Sequence, residues 1–187
     1  MKAKDYRKAA WGKLSGNWAT MVVAYLVLGA IVAAASMFVG VGEFIVAGPL
    51  LLGFSMMTIA IVRGNKTGIE NLFDGFKTNF VQSLILYILN TIFTALWSLL
   101  FVIPGIIAYY RYSMSYYILN DHPEMTANEA RKASIELMKG NKWKLFCLHF
   151  SFIGWIILCG LTLGILTLWI QPYMETANAE FYESIKK

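Results

Sequence analysis

The sequence predicts an all-α fold: a polytopic membrane helix bundle of about six transmembrane helices in three hairpins, each hairpin preceded by a cytoplasmic interfacial amphipathic helix. Three observations predict it. Of 187 residues, 58% are hydrophobic and 14% charged, with a mean hydropathy of +0.56, which is more apolar surface than a soluble domain of this length can hide. The apolar residues fall into runs at 18–41, 43–62, 80–97, 98–119, 145–159 and 161–182. A recurring punctuation, "LSGNW" at 14–18, "FKTNF" at 76–80 and "MKGNKW" at 138–143, separates an amphipathic segment from an apolar run each time.

A helix needs about 20 residues to cross a hydrocarbon core of about 30 Å, and most of the runs fit. The run 145–159 covers only about 22 Å at 1.5 Å per residue. It reaches full length by starting earlier, with Lys142 and Lys144 snorkelling to the headgroups. The last run turns polar after Tyr173 and leaves the membrane before its helix ends. Lys2, Lys4, Arg7, Lys8 and Lys13 precede the first run, and Arg63, Lys66 and Lys77 fill the second connection. Arg131, Lys132, Lys139, Lys142 and Lys144 fill the fourth, and Lys186 and Lys187 end the chain; the other connections have no Lys or Arg. By the positive-inside rule, both termini and the long loops are cytoplasmic. Ala33-Ala34-Ala35 resembles a signal-peptide cleavage site, but the long amphipathic arm before it favours a retained first span.

The punctuation has a physical reading. Thr67 with Glu70, and Thr126 with Glu129, match the capping box that starts a helix. Ile69, Leu72, Phe73 and Phe76 then share one helical face, as do Ala127, Ala130, Ser134 and Leu137. Arg131, Lys132 and Glu136 point away from that second face. Ala3, Tyr6, Ala10 and Leu14 repeat the pattern without a cap. Such helices lie in the headgroup plane. Gly16-Asn17, Thr78-Asn79 and Gly140-Asn141 supply left-handed turns, and Trp18, Phe80 and Trp143 anchor the spans that follow. "RKA" recurs at 7–9 and 131–133, and each returning span holds a proline: Pro49, Pro104 and Pro172. One membrane domain of three pseudo-repeat units, about 1–62, 63–120 and 121–187, follows.

The pieces "IPGII", "MKGNKW", "FIGW" and "PY…FY", with the sequence around them over about 97–183, resemble a bacterial integral-membrane family, domain of unknown function nine-seven-five. The resemblance implies a bacterial, six-span protein of the cytoplasmic membrane. It brings no activity and no catalytic residues.

Within the runs, Gly29/Ala33, Ala30/Ala34, Ser36/Gly40 and Gly160/Gly164 are pairs that let helices approach closely, chiefly within the bundle. Pro104 and Pro172 are places where helices lining a cavity would break. Arg111 is the one cation inside a run, and a charge at mid-bilayer costs about 2.5–3.5 kcal/mol on insertion scales. Glu175 has a matching depth in a run of the same direction. An intramembrane Arg111–Glu175 pair at a polar site with Asn90, Tyr109, Tyr110, Tyr112, Tyr116 and Tyr117 is one reading. Snorkelling of Arg111 to the cytoplasmic headgroups is the other.

Enzyme chemistry finds no footing. His122 and His149 sit in no spaced ligand set, and Gly64-Asn65-Lys66-Thr67-Gly68 lacks the spacing of a phosphate-binding loop. His149 reads as a buried group bonded to a neighbouring helix. Cys147 and Cys159, about 18 Å apart on one helix, cannot pair and read as packing residues. The sequon at Asn65 faces the cytoplasm. The net charge of +5 is spread in clusters between apolar runs, which argues for anionic lipid headgroups as partners and against nucleic acid. No metal or other cofactor is expected. Two function classes remain: a non-enzymatic accessory component that binds itself or another membrane protein, and a transporter or sensor of a small polar, anionic solute at Arg111. A transporter surrounds its mid-membrane polar groups with a gap, whereas a scaffold packs them shut.

Overall fold

The computed structural model describes residues 2–37, 41–100 and 102–186; Gly40 of the Ser36/Gly40 pair and Lys187 lie outside them. The described residues form helices α1 (Ala3–Leu14), α2 (Trp18–Ser36) and α3 (Val41–Val62), then a 3₁₀ turn (Ile69–Phe73) leading into α4 (Asp74–Thr78). There follow α5 (Phe80–Leu100), α6 (Val102–Tyr112), α7 (Ser115–Asp121), α8 (Ala127–Leu137), α9 (Lys142–Phe150), α10 (Ile153–Leu161) and α11 (Thr167–Ile185). Helices α2, α3 and α5 are each long and apolar enough to cross a bilayer, and α9 with α10 make a fourth if their 41° bend lies within one segment.

Helix α3 is apolar on every face and occupies the centre, with Leu50, Leu52, Met57, Ile59 and Ile61 buried, as expected of a helix without a polar side. Backbones press against it. A Cβ on Gly53 would collide with the Leu72 carbonyl, one on Gly75 with that of Pro49, and one on Gly48 with that of Ser83. These glycines carry the close approaches. The pairs expected to do so do not: Gly29, Ala30, Ala33 and Ala34 all lie on the exposed side of α2, and a Cβ on Gly160 or Gly164 would meet open space.

Several local expectations shift. The Thr126–Glu129 box forms, Glu129 accepting from the Thr126 N–H at 2.8 Å. The Thr67–Glu70 box does not: Asn71 Oδ1 accepts from the Gly68 N–H at 2.9 Å and from Thr67 Oγ1 at 3.2 Å, because three residues complete a 3₁₀ turn and bring Asn71 over Gly68. Helix α1 has an unexpected N-terminal partner, Lys2 N–H donating to Asp5 at 2.8 Å. Gly16 and Gly140 adopt φ of +86° and +76°, but Asn79 stays at −144° and donates instead to the Pro123 carbonyl at 3.0 Å.

The amphipathic helices spend their apolar faces on protein. Helix α1 runs antiparallel along the second half of α11, with Tyr6 edge-on to Phe181 at 5.4 Å and Trp11 edge-on to Tyr173 at 5.4 Å. Helix α8 lies against α5 and α6, and Arg131, expected to face away, stacks over Phe93 at 4.1 Å.

The run 98–119 is not one helix. Ser98 belongs to α5, Pro104 sits harmlessly in the first turn of α6, and the break falls at Ser113–Met114. Three serines satisfy the carbonyls freed there: Ser113 donates to Tyr110, Ser134 to Arg111 and Ser115 to Tyr112, at 3.0, 2.8 and 2.7 Å. Ser134 Oγ also accepts from the Met114 N–H at 3.2 Å. At the α9–α10 bend, the Arg7 guanidinium donates to the Ser151 carbonyl at 2.8 Å and lies over Phe152.

The ends of α3, α7 and α11 meet in one ion network. Arg63 pairs with Asp121 at 2.7 Å and Glu183 at 2.9 Å, and Lys186 reaches the same two carboxylates. Burial alone would push the Asp121 carboxyl up, but the hydrogen bond and charge of Arg63, with help from Lys186 and Tyr182, hold it below its ordinary value.

Two predictions follow from these contacts. Ser134→Ala leaves two buried backbone groups without partners and should cost about 2 kcal/mol in a reversible unfolding titration in detergent, whereas Ser184→Ala at the α11 end should cost far less. Asp121 stabilises the fold fully above the unfolded carboxyl pKa of about 3.9, and this contribution is lost as pH falls from there through the native value. Asp121→Asn should therefore melt below wild type at pH 7, and the two midpoints should converge in acid.

Candidate functional site

Polar side chains recur at helical spacing on α5, on α6–α7 and on α11. On α5 these are Tyr87, Asn90, Thr91, Thr94 and Ser98; on α6–α7, Tyr109, Tyr112, Tyr116 and Tyr117; on α11, Gln171, Glu175 and Asn178. Each set follows i, i+3/i+4, i+7 and so covers one face. The structure turns the three faces toward each other, with α2, α3 and α9 closing the ring. Between them lies a cavity of about 710 Å³.

The break at Ser113–Met114 leaves the tyrosine stripe in register across α6 and α7, so the chain bends without losing its polar face. His149 ties the wall together. The Asn178 amide oxygen can only accept, so His149 Nε2 donates to it at 2.9 Å, and Nδ1 accepts from the Tyr110 hydroxyl at 3.2 Å. One imidazole thus joins α6, α9 and α11; the expected bond to a neighbouring helix forms, but His149 is half-buried and borders the cavity rather than being fully enclosed.

Among the described residues, Glu175 is the one carboxylate on the wall, and no Lys or Arg lines it. Its Oε2 accepts from the Tyr117 hydroxyl at 3.0 Å, and Tyr117 is held by stacking on Tyr182 at 5.4 Å. No ion pair reaches Glu175 among the described residues. Asn90 Oδ1 and the Tyr116 hydroxyl are buried beside the cavity and lack hydrogen-bond partners.

Of the residues singled out from sequence, Asn90, Tyr109, Tyr112, Tyr116, Tyr117 and Glu175 come together here. Arg111 does not. It makes no pair with Glu175, does not line the cavity, and leaves its Nε buried without a partner. Each helical residue advances about 100°, so Arg111 does not share the face of Tyr109 and Tyr112. Tyr110 likewise faces His149 behind the wall. The polar stripe of α5 beyond Asn90, and Gln171 and Asn178 on α11, were not singled out. Their 3.6-residue period on an apolar background is the signal that finds them. Among the described residues, no cluster of three His, Cys, Asp or Glu side chains is placed to hold a metal.

His149→Leu removes both hydrogen bonds and strands the Asn178 oxygen. It should destabilise the detergent-solubilised protein by roughly 2–3 kcal/mol, whereas Cys147→Ser, two residues away, should have little effect in the same unfolding assay.

No curated protein and no solved structure matches the chain. A family model described as "Protein of unknown function (DUF975)" matches residues 1–108 and again residues 99–187. Since the two matches together span the chain, the protein belongs to that family.

Proposed function

We propose that the protein is a non-enzymatic, multi-pass protein of the bacterial cytoplasmic membrane that binds a small solute in the polar cavity and acts as its transporter or sensor. The observation that carries this reading is the cavity itself. Its volume of about 710 Å³ lies in the range of small-molecule sites, and it surrounds groups that a purely structural bundle would pack shut. The site is centred on Glu175 and Asn90 rather than on Arg111.

The proposed membrane arrangement has six passes: α2, α3, α5, α6–α7, α9–α10 and α11, with both termini cytoplasmic. The meeting of Arg63, Asp121 and Glu183 at the ends of three returning legs supports it, as does the crowding of Lys and Arg into the loops on that side. Helix α11 tolerates its polar composition because other helices enclose it. A second reading, an accessory protein that pairs through its membrane face, draws on the outward small residues Gly29, Ala30, Ala33 and Ala34 of α2.

Cysteine labelling tests the cavity. In a Cys147→Ser, Cys159→Ser background, Thr94→Cys and Ser98→Cys should react with a water-soluble maleimide in native membranes, and Ile92→Cys on the outward face of α5 should not. Equal protection of all three positions would mean that the space is closed, and would favour the accessory reading.

A further inference from the structure

The cavity wall carries a chemical preference. Its one carboxylate is Glu175, and among the described residues it holds no Lys or Arg. A half-buried carboxylate without a cationic partner attracts a cation, because its charge has lost part of its solvation. Glu175 has one oxygen occupied by Tyr117 at 3.0 Å and no cationic partner. Asn90 Oδ1, which can only accept, is buried without a donor. The wall therefore sets an unpaired carboxylate and an unpartnered amide oxygen beside hydroxyl and amide groups that carry no formal charge.

Aromatic faces add to this. Tyr25, Tyr87, Tyr109, Tyr112, Tyr116 and Tyr117 all border the same space. The faces of aromatic rings attract cations, most strongly where the contact is desolvated. Arg131 already shows the preference at the back of the wall, stacked over Phe93 at 4.1 Å and Tyr112 at 5.4 Å.

Resting on the cavity reading above, we propose that the solute is an organic ammonium ion, a protonated amine whose charge is met by Glu175 and the tyrosine rings and whose N–H groups donate to Glu175 and Asn90. This reverses the sign expected when Arg111 was the candidate. The volume admits an amine carrying an aromatic or branched aliphatic body, which the apolar parts of the wall, such as Leu28, Leu51 and Phe54, would cover.

Three probes of nearly equal shape, 2-phenylethylamine, 2-phenylethanol and phenylacetate, separate the possibilities. Binding to the full chain in detergent at pH 7 is read by native mass spectrometry and by the shift in melting temperature. The amine should bind, and the alcohol and the acid should bind at least about tenfold more weakly. Glu175→Gln should weaken the amine by roughly tenfold, and Asn90→Leu several-fold. If Glu175→Gln fails to give monodisperse protein, Tyr109→Leu should show a several-fold loss through its missing ring.

A free amine and the ammonium of an ethanolamine lipid share this chemistry. Adding phosphatidylethanolamine to the detergent distinguishes them: displacement of the amine assigns the headgroup, and retention assigns a soluble amine. If phenylacetate or 2-phenylethanol equals the amine and all binding vanishes in the cavity-filling Thr94→Trp, the cation inference is wrong and the cavity reading stands. If no probe binds, or Thr94→Trp changes nothing, the cavity reading falls as well.

Discussion

A backbone that breaks inside an apolar interior must find partners for the N–H and C=O groups it releases, since apolar side chains offer none and each buried orphan costs several kcal/mol. Much of this architecture depends on that constraint. The turn at Ser113–Met114 is possible because Ser113, Ser134 and Ser115 take up three successive carbonyls. The bend after α9 has Arg7 on the Ser151 carbonyl and Ser151 Oγ on that of Leu148. At both places a decisive partner, Ser134 or Arg7, comes from an amphipathic helix distant in sequence. These helices are therefore parts of the bundle, and the burial of their apolar faces on α11, α5 and α6 follows from the same role.

The breaks and the cavity are connected. Gly48 and Gly53 let α3 press against its neighbours, whereas next to the two breaks Ser113 and His149 border the cavity. Polar groups there face one another. Glu175 is held by Tyr117, Tyr117 by Tyr182, and Tyr182 by Asp121. That chain of contacts runs from the cavity to the Arg63 ion network, so the site and the cluster at the helix ends share a support.

Arg111 and Arg131 show how charge is accommodated away from the cavity. Arg131 stacks on rings and bonds Asn128 at 3.0 Å. The Arg111 carbonyl is engaged by Ser134 while its guanidinium lies outside the cavity wall. Neither arginine lines the cavity.

Composition and periodicity alone determined the helical class, the apolar runs, the Thr126 cap, the left-handed turns at Gly16 and Gly140, and most of the cavity tyrosines. These are local properties, set by hydropathy, by φ preference and by spacing along one helix. Only the tertiary structure decided that Arg111 and Glu175 face different ways, that the span breaks at serines rather than at Pro104, and that Gly48 and Gly53 rather than Gly29 carry the close contacts. Each of those depends on the rotation of one helix against another. Rotation is fixed by packing between residues far apart in the chain, about which a depth count along any single helix carries no information.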